Sequence, residues 1–148
     1  MPSKNIHKIY MNFAETISQL SYAKTRKVGC IIVKDNNIIA EGYNGTPYGF
    51  DNDCEYLDKK ENIIKTHGHV IHAESNAIVK LSKSTRSSQC ATLYITLSPC
   101  LQCAKLIIQA GIKEIYYKEN YNNPEGTNLL KLANIKIYNI KEINNGTP

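Results

Sequence analysis

Apolar residues recur at Ile6, Ile9, Tyr10, Phe13, Ile17 and Leu20, a three-and-four spacing that predicts an amphipathic helix. An apolar run from Val28 to Val33 follows, then the polar turn Lys34–Asn37, then Ile38 to Tyr43. Two short apolar runs around a polar turn predict a β-hairpin. From Asn44 to Ile71 the periodicity disappears. Gly45, Pro47, Gly49, Asp51, Asn52 and Asp53 mark an irregular loop, and so long a loop in a compact domain is often functional.

Periodicity returns with Ala73, Ala77, Ile78 and Leu81, which predict a helix carrying His72 and Glu74 in its first turn. Thr92 to Leu97 alternates like a strand. Ser98-Pro99 is expected to open the next helix, because proline suits the first helical position, and Gly111 to close it. A short strand at Glu114–Tyr117, a helix at Pro124–Ala133 and a strand at Ile135–Ile140 complete the order α-ββ-α-β-α-β-α-β. Strands alternating with helices in the second half imply parallel pairing through crossovers. The expectation is one domain over 1–148, an α/β fold with three layers, α/β/α, around a mixed five-stranded sheet.

Composition narrows the class. A chain of 148 residues that is 42% hydrophobic can bury one core. No apolar run reaches membrane-span length, and Met1–Tyr10 is polar, so a soluble cytoplasmic protein with no membrane partner is expected. The net charge of +5 suits an anionic ligand but is not gathered into a dense block, so no nucleic-acid partner is expected. Five cysteines, an odd number, argue against a disulfide framework.

Two motifs carry the chemistry: His72-Ala73-Glu74 and Pro99-Cys100-Leu101-Gln102-Cys103. Alone, a C-x-x-C pair reads equally as a redox couple or half of a structural zinc site. Together with a histidine from another helix start it makes a three-ligand zinc set, His72, Cys100 and Cys103, whose fourth position stays open to water. Both helix N-termini would favour the Cys100 and Cys103 thiolates. Zinc lowers the pKa of bound water toward neutral, and Glu74 is placed to carry protons between that water, a ring nitrogen and leaving ammonia. A closed structural site would need Cys90 or Cys54 as fourth ligand; Cys30 falls in a strand pattern and reads as core.

H-x-E followed by P-C-x-x-C is the zinc nucleobase-deaminase pattern. The chain resembles the deoxycytidylate (dCMP) deaminases in Val28–Asp35, in Gly42-Tyr-Asn-Gly-Thr-Pro-Tyr-Gly49, in His72-Ala-Glu-Ser-Asn-Ala-Ile78 and in Tyr94–Ala104. Gly-Tyr-Asn-Gly and the Asn-Ala-Ile after the glutamate distinguish this branch from deaminases of tRNA adenosine or free cytidine. The resemblance implies a cytidine-deaminase-like fold and hydrolysis of dCMP to dUMP and ammonia, feeding thymidylate synthesis. It implies zinc on His72, Cys100 and Cys103, with Glu74 as proton shuttle. Asn44, Ser98, Tyr121 and Ala73 would contact substrate.

The resemblance further implies a hexamer activated by dCTP and inhibited by dTTP, with Mg2+ as the triphosphates' companion and Gly42, Tyr43 and Gly45 in the effector site. For the monophosphate the residues offer Arg26, Lys27, Lys80 and Lys83 without choosing among them. Some relatives hold a second, structural zinc; Cys54, His67 and His69 stand in that region, but Val70 and Ala23 replace an expected glutamate and cysteine. Activity on dCTP, cytidine, tRNA adenosine or a guanine-type base is the alternative within the fold, and a non-catalytic zinc module is the alternative outside it.

Overall fold

The computed structural model describes residues 4–143. Its first helix, α1 (Lys4–Ser18), is followed by β1 (Gly29–Lys34) and β2 (Asn37–Tyr43). Their connection places Asp35 and Asn36 at φ 50° and 61°, the left-handed pair that a tight primed hairpin turn requires. β5 (Thr92–Leu97), β6 (Glu114–Glu119) and β7 (Lys136–Asn139) complete a five-stranded sheet in the order β2-β1-β5-β6-β7. β1 pairs antiparallel with β2 and β5, while β5, β6 and β7 run parallel. The parallel pairs are spanned by α3 (Leu101–Gln109) and α4 (Glu125–Leu132), and α2 (Ala73–Leu81) precedes β5.

The layers follow from which side chains each face buries. Met11 and Ala14 of α1 pack with Ile31, Val33, Tyr94 and Tyr116 on one side of the sheet. Ala73, Ala77 and Leu81 of α2, Ala104 and Ile107 of α3, and Leu130 of α4 pack with Cys30, Ile32, Leu93, Ile95 and Ile115 on the other. Alternate strand residues therefore serve opposite cores, as the two-residue period demands. The expected α/β/α sandwich is the observed one, and Cys30 is core as expected.

Three local readings change. The segment expected to be an irregular loop folds a hairpin, β3 (Glu55–Asp58) against β4 (Ile63–Thr66). Asp58 accepts the N–H groups of Lys60 and Glu61 and pairs with Lys65 at 2.7 Å, so its turn is built by polar side chains that carry no periodicity. The helix expected to open at Pro99 opens at Leu101, with Cys100 as its extended N-cap (ψ 172°) and Pro99 fully buried beneath it. The last strand is shorter than expected, because a one-turn helix, α5 (Ile140–Ile143), takes over at Ile140 and turns that side chain toward α1.

No helix among the described residues is long and apolar enough to cross a membrane.

Candidate active site

His72 and Cys100 are both N-cap residues, of α2 and α3, and neither side chain caps its helix. An N-cap side chain ordinarily accepts a first-turn N–H. Here both are turned toward each other instead. His72 Nδ1 lies 3.5 Å from Cys100 Sγ and 3.3 Å from Cys103 Sγ, and the three donor atoms lie within 4.8 Å of one another. A tetrahedral zinc with bonds of about 2.3 Å to sulfur and about 2.0–2.1 Å to nitrogen sets its ligand atoms roughly 3.5 Å apart, so this donor set fits that ion. It is the one such group of three donors among the described residues.

Two hydrogen bonds and two glycines hold the arrangement. Ser75 Oγ lies 3.5 Å from Cys103 Sγ, and Asn76 Nδ2 donates to the Tyr43 carbonyl at 2.8 Å, tying α2 to β2. Gly42 is buried against α2; a Cβ there would stand 2.2 Å from the Ala73 carbonyl oxygen. Gly126 plays the same part for α4 against the Pro99–Cys100 backbone. Of the residues expected at an effector site, Gly42 thus has a packing task. Tyr43 lends its carbonyl to Asn76, and Gly45 pairs with Ile71 to close the base of the long segment.

Glu74 is 4% exposed, in the first turn of α2 beside the sulfur–nitrogen cluster. Burial raises its carboxyl above the ordinary glutamate value, against the pull of a backbone N–H and of His72. The Cys103 thiol is also pushed up, first by burial and then by the Glu74 charge. Cys103 lies in the first turn of α3 and is buried, so in the absence of a metal its desolvation opposes the thiolate that the helix N-terminus would favour. A bound cation is what reverses that balance.

His72, Glu74 and Cys100 line a cavity of about 320 Å³. Ala73, Asn44, Ser98 and Tyr121 line it too, so every substrate-contact residue expected from the sequence reaches one space. Asn44 is partly committed: Oδ1 accepts Val28 N–H at 2.8 Å and Nδ2 donates to the Arg26 carbonyl at 2.9 Å. One amide hydrogen remains. Ser98 Oγ accepts the N–H of Tyr121 at 2.7 Å, which fixes where the Tyr121 segment leaves β6.

Of the four cations considered for phosphate, only Arg26 lines the cavity, and no carboxylate pairs with it among the described residues. Lys80 is bound to Glu41 at 2.9 Å near the far end of α2, Lys83 lies beyond that end, and Lys27 is outside the lining.

The donors considered for a second zinc do not converge. His67 and His69 stack on each other at 4.9 Å, and Cys54 donates to the Asn52 carbonyl. Nor does Cys90 reach the site; it is exposed, at φ 61°. The cavity wall also holds Thr25, Glu55 and Thr66, which sequence reasoning missed because the β3–β4 hairpin and the α1–β1 connection bring them there. An acid directly after Cys54 was the single signal available.

A family profile described as "cytidine and deoxycytidylate deaminase zinc-binding region" matches residues 4–119. This chain is a member of the cytidine and deoxycytidylate deaminase family. It is 41% identical to a probable deoxycytidylate deaminase of Caenorhabditis elegans over 77% of this chain, which spans only 57% of that protein. It is 35% identical to the deoxycytidylate deaminase of Enterobacteria phage T4, covering 90% of this chain and 89% of the phage protein. The structure of the cyanophage S-TIM5 dCMP deaminase in complex with dCMP and dUMP superposes with a TM-score of 0.85 at 40% identity, over 94% of this chain and 98% of that one. Family membership makes the chain a deaminase enzyme and places the His72–Cys100–Cys103 cluster inside the matched zinc-binding region.

Proposed function

We propose that this deaminase hydrolyses dCMP to dUMP and ammonia. The observation that carries the reading is the convergence of the His72–Cys100–Cys103 cluster and buried Glu74 on one cavity. The likeness to a deaminase solved with dCMP and dUMP supports the choice of nucleotide.

His72, Cys100 and Cys103 would hold zinc, which when bound activates water toward the amidine carbon of cytosine. The remaining work falls to the chain itself. Glu74, raised by burial, takes a proton onto its carboxylate, gives it to the ring nitrogen N3, and later transfers one to the departing amine. A C–O bond forms at C4, the C4–N bond breaks, and one water is consumed per ammonia released. Ser98 and the spare amide hydrogen of Asn44 orient the base and sugar, and Tyr121 covers the bound ring. Arg26 meets the phosphate.

By the same resemblance the enzyme is a cytoplasmic hexamer, activated by dCTP and inhibited by dTTP, the triphosphates arriving with Mg2+.

The test is ammonia release by zinc-loaded protein from dCMP, dCTP, deoxycytidine, cytidine and a tRNA anticodon stem-loop, with and without dCTP or dTTP. Turnover of dCMP tuned by the triphosphates is expected. Turnover of the stem-loop alone, or of none of the five, rejects the reading.

A further inference from the structure

The connection from Ser21 to Val28 carries Arg26 to the cavity and belongs to no helix or strand. The backbone groups of such a segment need partners from elsewhere. Two side chains supply them, one at each end. Asn44, directly after β2, accepts the Val28 N–H at 2.8 Å and donates to the Arg26 carbonyl at 2.9 Å. Glu55, the first residue of β3, accepts at Oε1 the N–H of Lys24 at 2.8 Å, the N–H of Thr25 at 3.2 Å and the Thr25 hydroxyl at 3.2 Å. Arg26 therefore stands between two clamps, directly after the last residue that Glu55 holds.

Glu55 holds this segment at a cost. Its Oε2 is buried with no hydrogen-bond partner, the sole side-chain oxygen or nitrogen in that condition among the described residues. Leaving such an atom unpaired forfeits its hydration and lowers stability. Burial would raise the carboxyl, but the donors from Lys24 and Thr25 outweigh it and hold Glu55 below the ordinary glutamate value. At neutral pH it is a carboxylate, the stronger acceptor for those N–H groups. A locally unfavourable group beside a candidate site points to a functional task. Its side-chain hydrogen bonds all run to the two residues that lead into Arg26, which says what that task is.

We infer that Glu55 is a positioning residue that sets Arg26 for the substrate's phosphate by holding the backbone of Lys24 and Thr25. The inference rests on the deaminase reading, in which Arg26 meets that phosphate. Arginine has a long and flexible side chain, so its guanidinium is presented reproducibly only from a fixed backbone. Fixing the backbone before the nucleotide arrives lowers the ordering cost that binding would otherwise bear. Glu55 acts through Arg26 and needs no contact of its own with the substrate. The effect is also bounded: loss of Glu55 takes away no more phosphate preference than loss of Arg26 itself.

The experiment is a double-mutant cycle on zinc-loaded enzyme. It reads the ratio of kcat/KM for dCMP over deoxycytidine in the parent, Glu55→Ala, Arg26→Ala and the double variant. Glu55→Ala should lower the ratio about three- to tenfold, through KM for dCMP rather than kcat, and should lower it no further once Arg26 is gone. Glu55→Gln keeps one acceptor oxygen and should recover part of the loss. A residue that only braces the fold would lower Tm and slow both substrates alike. An unchanged ratio in Glu55→Ala overturns the inference, as does an equal further fall in the Arg26→Ala background, or an Arg26→Ala that keeps the parental ratio. A ratio above the parent's in Glu55→Gln would make Glu55 a charge that repels the phosphate and overturns it too.

Should Glu55→Ala fail to fold, Glu55→Leu fills the same space without an acceptor, and the same outcomes decide. Affinities for dCMP and deoxycytidine, measured by calorimetry in a Glu74→Gln background, need no turnover. A loss of dCMP affinity that depends on Arg26, with no turnover of dCMP by the unsubstituted enzyme, would sink the deaminase reading and leave the positioning role standing.

Discussion

A Cβ on residue 126 would stand 2.2 Å from the carbonyl oxygen of Pro99 and 2.6 Å from the carbonyl carbon of Cys100. Gly126 therefore lets α4 rest on the backbone that presents Cys100 to His72. The atoms it meets are main chain and cannot rotate aside. Gly126→Ala should force α4 and the Pro99–Cys100 backbone apart, at a cost of about 1–3 kcal/mol. A lower Tm together with weaker zinc retention against a chelator is expected. A variant that is destabilised yet holds zinc as tightly as its parent would separate the helix contact from the site.

Glu74→Gln is expected to keep the fold and full zinc content while turnover falls by about 10²- to 10⁴-fold. Glutamine preserves the volume at this buried position and removes only the exchangeable proton. Cys100→Ala should lose metal and activity together, because two donors do not replace three. Metal content by atomic absorption beside ammonia release separates the two cases. Full zinc in Cys100→Ala would overturn the ligand set.

Arg26 and Lys80 were equal candidates in the sequence and are unequal in the fold. Arg26→Ala should raise KM for dCMP roughly tenfold with kcat little changed, the effect of one lost charge-assisted hydrogen bond. It should also shrink the advantage of dCMP over deoxycytidine. Lys80→Ala removes an exposed pair with Glu41, remote from the cavity, and should leave the kinetics at parental values. Equal effects from the two would return the phosphate site to α2.

His7 lies on the opposite face of the sheet, its Nδ1 2.7 Å from the Tyr94 hydroxyl and its ring stacked 4.2 Å from Tyr116. Burial lowers its pKa, and the nearby Glu114 charge offsets this only in part. The unfolded chain then takes up a proton before the folded one as pH falls below 6.5. Stability from the neutral ring is complete above 6.5 and declines as pH drops toward the lower folded value. His7→Gln should flatten Tm against pH in that window. An unchanged slope would assign the acid sensitivity to other groups.

The elements legible in the sequence were those with a period. α1, the β1–β2 hairpin, α2 and β5 lie within a residue or two of their expected bounds, because burial on one face imposes spacing that the chain shows directly. The β3–β4 hairpin was not legible. Tyr56, Leu57, Ile63 and Ile64 are exposed, so no core imprints alternation on them, and the turn depends on Asp58 side-chain bonds. The start of α3 was misplaced for a related reason. Proline's preference for the first turn is local, whereas Cys100 is held extended by the demand that its sulfur meet His72.

The candidate metal donors His72, Cys100 and Cys103, and Glu74 beside them, were legible in the sequence itself, since a donor's chemistry and its place at a helix start are encoded within a few residues. What the tertiary structure decided was the company those residues keep. The α1–β1 connection and the hairpin bring Arg26 and Glu55 to the cavity from 46 and 17 residues before His72. Gly42 and Gly126 do their work through a missing Cβ, whose consequence exists only where two backbones approach. No spacing along a chain records such contacts, because their energy arises between segments that meet only once the core has closed.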